Sequence, residues 1–128
     1  MPADFTIDPT YRLIHTRLSG ALTDAELIAM EARLRVHPHY EVTHDHLIDA
    51  TDVTEVGITG AGVQHIVRVT PNGMGCAGRR VIVAPTDALY GMARMFQQLR
   101  GAEPPELAVV RSRAEAETLL DLPTAALA

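Results

Sequence analysis

The chain has 128 residues, a net charge of −5 and a single cysteine. That length suits one domain able to bury a core without staples. The charge argues against a general nucleic-acid binder, whose affinity rests on neutralising phosphates, and one cysteine excludes an internal disulfide. No apolar run approaches the ~18 residues of a membrane span. The Met1-Pro2-Ala3-Asp4 start has no basic region followed by an apolar run, so no signal peptide is expected, and a cytoplasmic protein is the simplest expectation. All eleven basic residues are arginine, scattered along the chain rather than clustered on one segment.

In chain order, Phe5 to Asp8 and Arg12 to Leu18 predict two short strands around a Pro9-Thr10 turn, the second ended by Ser19-Gly20. Thr23-Asp24-Ala25-Glu26 is a capping box that opens a helix. Leu27, Met30, Glu31 and Leu34 follow at helical spacing, three of those four places being apolar, and Pro38 ends the helix. Leu47 to Ala50 predicts a short buried strand that runs into an acidic loop before Thr59. Thr59 can cap a second helix with Val63, Ile66 and Val67 inside, stopped by Pro71-Asn72-Gly73. Arg80-Val81-Ile82-Val83-Ala84 is the clearest strand, a β-branched run suited to a sheet interior. Pro85-Thr86-Asp87 starts a third helix, whose Leu89, Met92, Ala93, Phe96 and Leu99 repeat at helical spacing, with Gly101 as its stop. Pro104-Pro105 is a rigid connector. Leu107 to Val110 is a last strand, Ser112-Arg113-Ala114-Glu115 a second capping box, and Leu119 and Leu120 finish a short helix. Strands alternating with helices predict an α/β fold. Its sheet is mixed and mostly parallel, of about five strands with an N-terminal hairpin, flanked by about four helices. A single domain covers residues 1 to 128, with its core at about 5 to 120 and a loose tail from 121 to 128.

This element order, with a hairpin first, resembles the STAS or SpoIIAA-like domains, the fold of bacterial anti-sigma-factor antagonists. Leu47-Ile48-Asp49, the small-residue stretch Thr51-Asp52-Val53-Thr54 and the helix start Gly57-Ile58-Thr59-Gly60 carry the likeness. Leu18-Ser19-Gly20-Ala21-Leu22-Thr23 also resembles the family's passage into its first helix. The resemblance implies a non-enzymatic bacterial signal-transduction module that docks a regulatory protein, a kinase or an anti-sigma-like factor, and that can form a homodimer. In the antagonists a serine at the helix start is phosphorylated. Its place here holds Ile58, and Thr59 is one position further along, ~100° around the helix. SEC14-like lipid carriers belong to the same fold class, which implies an alternative: a carrier or sensor of a small apolar, lipid-like ligand.

The expected docking surface is the Asp49 to Thr59 loop and the helix after it, with Asp49, Thr51, Asp52, Thr54, Thr59 and Gly60 as its residues. Tyr90 and Arg94, at i and i+4 on the third helix, are further candidates for partner contact. Thr59 is the one candidate phosphoacceptor, although capping alone explains a threonine there and is the simpler reading. Asp49, Asp52 and Glu55 are compatible with a cation but also with ordinary turn chemistry. His37, His39, His44 and His46 fall within ten residues, and His44 and His46 could bind Zn²⁺ or Cu²⁺ given a third ligand such as His39 or Asp45, but an exposed histidine-rich loop and edge is the simpler reading, and no metal or other cofactor is expected. Gly73-Met74-Gly75-Cys76-Ala77-Gly78 spells G-x-G-x-x-G, but it follows a helix and precedes a strand, the reverse of a dinucleotide site. Cys76 has no histidine placed to activate it. No motif assembles a nucleophile, a base and an oxyanion site, so no enzymatic activity is expected.

Overall fold

A computed structural model describes residues 3–41, 43–69, 78–101 and 107–123. The elements run β1 (Ala3–Asp8), β2 (Leu13–Thr23), α1 (Asp24–Arg35), β3 (Asp45–Gly57), α2 (Gly60–Val69), β4 (Arg80–Val83), α3 (Asp87–Arg100), β5 (Leu107–Val110) and α4 (Arg113–Leu119). The sheet order is the chain order, β1-β2-β3-β4-β5; β1 pairs antiparallel with β2, and the other neighbours are parallel. The α/β fold with a five-stranded, mostly parallel sheet and a leading hairpin is therefore as the sequence predicts.

The helix starts also follow the local chemistry. The Thr23, Thr86 and Ser112 side chains accept from the amides of Glu26, Leu89 and Glu115, and Thr59 Oγ1 accepts from Gly62 N at 3.0 Å. Each such hydroxyl satisfies one of the amides that the first helical turn leaves without a partner. Gly101 closes α3 with φ +83°, a backbone conformation that disfavours a side chain.

Because β2 to β5 advance in one direction, right-handed crossovers place α1, α2 and α3 on one face of the sheet. Leu18, Leu22, Met30, Ala50, Ile82, Leu89 and Ala93 form the core beneath them. The opposite face carries the smaller core of Leu13, Leu47, Val81, Val83 and Val110, closed by Ala116 of α4 and Leu120. Leu22, Leu34 and Leu47 are completely buried, each such side chain stabilising the fold by about 1.5–3 kcal/mol.

Two boundaries need correction. β2 does not end at Ser19-Gly20, and residues 51 to 57 are not a loop. Both segments continue as a parallel ribbon, Ser19 to Thr23 against Asp52 to Gly57. The physical reason lies in two register shifts, where β3 carries an extra residue between Arg17 and Ser19 of β2 and again between Gly20 and Ala21. Each extra residue reverses the alternation of faces. Ile48, Ala50, Val53, Val56 and Ile58 all join the same core, at spacings of two, three, three and two. A strict two-residue period misses such a strand. Gly20, at φ +61°, sits at the second shift. The Pro71 stop, the Gly73-to-Ala77 part of the glycine motif with Cys76, the Pro104-Pro105 connector and the end of the tail lie outside the described residues.

Candidate functional site

The core under the three helices is incompletely filled. A partly enclosed cavity of about 110 Å³ lies between α1, α2, α3 and the sheet. Leu27 and Met30 line it from α1, Val63 and Ile66 from α2, and Leu89, Met92, Ala93 and Phe96 from α3. Leu18, Leu22, Ile48, Ala50, Ile82 and Ala84 form its floor. Two charged side chains stand in this apolar wall: Glu31 of α1 and Arg80 of β4, 9% and 2% exposed. Charged groups are rarely buried this deeply unless they are paired or serve a site.

Register explains how they come together. Ile14, His46, Arg80 and Leu107 are aligned across β2, β3, β4 and β5 and so share one face. Thr16 Oγ1 lies 2.9 Å from His46 Nε2, and Arg80 Nη2 lies 3.4 Å from His46 Nδ1. A guanidinium only donates, so Nδ1 accepts and Nε2 carries the proton that it donates to Thr16. Burial first, then the Arg80 charge and His15, hold His46 well below the ordinary imidazole value, in its neutral form. Glu31 shifts the other way. Burial raises its carboxyl above the usual range, against the lowering pull of Arg80 and Arg35. Its buried Oε2 has no hydrogen-bond partner among the described residues. The sequence carried a signal for this: Glu31 occupies the one polar place in the inner stripe of α1, and Arg80 heads a strand interior to the sheet.

The opposite face holds the expected docking carboxylate, Asp49, in a different setting. It is 2% exposed. Oδ1 accepts from Thr51 N at 3.0 Å and from Thr51 Oγ1 at 2.5 Å, Oδ2 accepts from Arg113 Nε at 2.6 Å, and His15 Nε2 lies 3.7 Å away. Burial pushes the Asp49 carboxyl up, but His15, Thr51 and Arg113 together outweigh it and hold the carboxyl far below the usual range. Arg113 also reaches Asp52 at 3.5 Å. Nothing in the sequence links His15 or Arg113 to Asp49; only the pairing of β2 with β3 and the start of α4 bring them there.

The other expected docking residues scatter. Thr51, Asp52 and Thr54 are exposed along the ribbon. Thr59 is exposed, but its hydroxyl donates to Asp24 Oδ2 at 2.7 Å and its amide to Asp24 Oδ1 at 3.0 Å. A phosphate on Thr59 would therefore meet a carboxylate at its own oxygen. Gly60 is half-buried next to Met95. Tyr90 is half-buried under the Arg111 guanidinium, 4.7 Å from its ring centre, rather than on a free polar side. Arg94 bonds Gln97 and borders a broad, open hollow of about 730 Å³ near Arg79 and Gln98, next in sequence to residues outside the described set. The histidines do not converge: His37 and His39 face each other with ring centres 5.6 Å apart, His44 lies 3.7 Å from Glu41, and His46 is internal. Among the described residues no group of three metal-ligating side chains comes together, and no helix is long and apolar enough to cross a membrane.

No protein-family model and no curated protein matches this chain.

Proposed function

We propose that this domain is a non-enzymatic binding module, a carrier or sensor of a small apolar ligand held between α1, α2, α3 and the sheet. The observation that carries this reading is the cavity: apolar on nearly every side, with Glu31 and Arg80 buried in its wall. Ligand sites commonly combine apolar walls with a few placed polar groups. An engineered apolar cavity of roughly 150 Å³ holds benzene, so about 110 Å³ suits a small ring or short chain. Met30 and Met92 in the wall can adjust their shape to it. A long acyl chain would require the helices to part.

The hydroxyl–imidazole pair of Thr16 and His46 does not form a nucleophile and its base. Thr16 is fully buried, and the His46 nitrogen facing it carries the proton, so the imidazole cannot act as a base toward that hydroxyl. Titration with small aromatic and aliphatic compounds, followed by amide NMR, tests the reading. Shifts confined to residues of the cavity wall, abolished by Ala93→Leu, are expected. Equal responses from the wild type and Ala93→Leu would remove it.

A second reading keeps the regulatory partner that the STAS resemblance implies. Beyond Asp49, β3 has no described pairing with β4, while it continues to pair with β2 as far as Gly57. An open strand edge is a template for a partner strand, and Thr51, Asp52, Thr54 and Glu55 are exposed along it. Affinity capture with wild type and with Asp52→Arg/Thr54→Pro separates this reading from the first, because neither substitution touches the cavity. Identical captured sets would exclude the edge.

A further inference from the structure

We infer that the ligand of this cavity is a single aromatic hydrocarbon ring without a charged or hydrogen-bonding group, and that Met30 and Met92 select it. The inference rests on the cavity reading above and adds a ligand class to it. At about 110 Å³ the space is smaller than the engineered cavity of roughly 150 Å³ that holds benzene. One six-membered ring is therefore its largest guest, and a fused ring or a long substituent does not fit.

The wall disfavours polar guests. Glu31 and Arg80 stand in it, but Glu31 Oε2 and Arg80 Nε are sealed from open surface, and Arg80 Nη2 lies 3.4 Å from His46 Nδ1. Every other lining side chain is apolar. A guest with a charge or a hydrogen-bonding group would give up its hydration to face hydrocarbon. The choice then lies between an aromatic ring and a saturated one. Area burial does not favour the aromatic ring, because a saturated ring of the same size is at least as apolar. The side chains around the space do favour it. Met30 enters from α1, and Met92 and Phe96 enter from α3, four residues apart and so on one face of that helix. A thioether sulfur is attracted to an aromatic ring, often at its edge. An aromatic pair likewise gains more than the area it buries. A saturated ring has no π-system and receives neither.

Three probes decide the matter: benzene, cyclohexane and pyridine, titrated into the intact protein at neutral pH and followed by amide NMR. Benzene is expected to bind at least ~3-fold more tightly than cyclohexane, the gain of one or two sulfur–aromatic contacts. It should bind at least ~10-fold more tightly than pyridine, which has the same shape but must bury a ring nitrogen. In Met30→Leu/Met92→Leu, which nearly conserves volume, benzene should still bind while its advantage over cyclohexane shrinks to near one. A second measurement uses the wild type alone: the Met30 and Met92 methyl resonances should move with the ring current of benzene and respond far less to cyclohexane. Equal or tighter binding of cyclohexane would overturn the aromatic ring, and equal or tighter binding of pyridine would overturn the exclusion of a hydrogen-bonding group, while either leaves the cavity reading in place. A benzene preference unchanged in the double variant, or methionine methyls that ignore bound benzene, would overturn the role of Met30 and Met92; failure of all three probes would overturn the cavity reading itself.

Discussion

Glu31 and Asp49 are both buried acids, yet the two faces of one sheet treat them oppositely. Asp49 is met by two groups of Thr51 and by Arg113, with His15 close by, so its charge is fully answered and its carboxyl is held ionised. Glu31 keeps an oxygen without a partner among the described residues, and burial works against its charge. Burial therefore does not by itself mark an acid as functional. The satisfied acid stabilises the fold, whereas the unsatisfied one carries the cost of its burial.

The strongest way to break this contrast is Asp49→Ala. It strands His15 and releases Arg113 and the Thr51 turn, and should lower the free energy of unfolding by about 2–4 kcal/mol in urea titrations; a loss under ~1 kcal/mol would show that the cluster is not a structural tie. The same site fixes a pH signature. Its folded value is depressed, so its contribution is present above the ordinary 3.8 and is lost as pH falls below it. Wild type and Asp49→Asn should thus converge in stability in acid.

Ala93→Leu sharpens the other side of the comparison. It fills the cavity with side chain, so stability should hold or rise by about 1 kcal/mol in thermal unfolding, while small-ligand binding disappears. A clear loss of stability would mean that the space is not open to a larger side chain.

Thr59→Ala separates structure from regulation at the start of α2. It should cost about 1 kcal/mol through the lost cap and the bond to Asp24. No cost in urea titration would leave the hydroxyl free for another role.

The smallest expected effect belongs to Glu31. Its folded value is raised, so relative to Glu31→Gln the wild type should lose stability as pH rises above the ordinary 4.5, the opposite direction to Asp49. Parallel stability curves for the two proteins across that range would remove the asymmetry between the faces.

The sequence alone determined the element types, their order and the helix caps. These depend on contacts within a few residues: Thr23 with Glu26, Thr86 with Leu89, Ser112 with Glu115. It also placed Glu31 as the one polar residue in the inner stripe of α1, without saying what it would face. The ribbon from Asp52 to Gly57 was illegible because two extra residues in β3 break the two-residue period, and only pairing with β2 restores one apolar face. The fate of each acid was illegible for a similar reason. Asp49 is 64 residues from the arginine that holds it, and the space beside Glu31 exists only because α1, α2 and α3 meet above the sheet without filling it. Local hydrogen bonds are written in neighbouring residues; cavities and buried charge pairs arise from distant segments and are decided when the helices settle on the sheet.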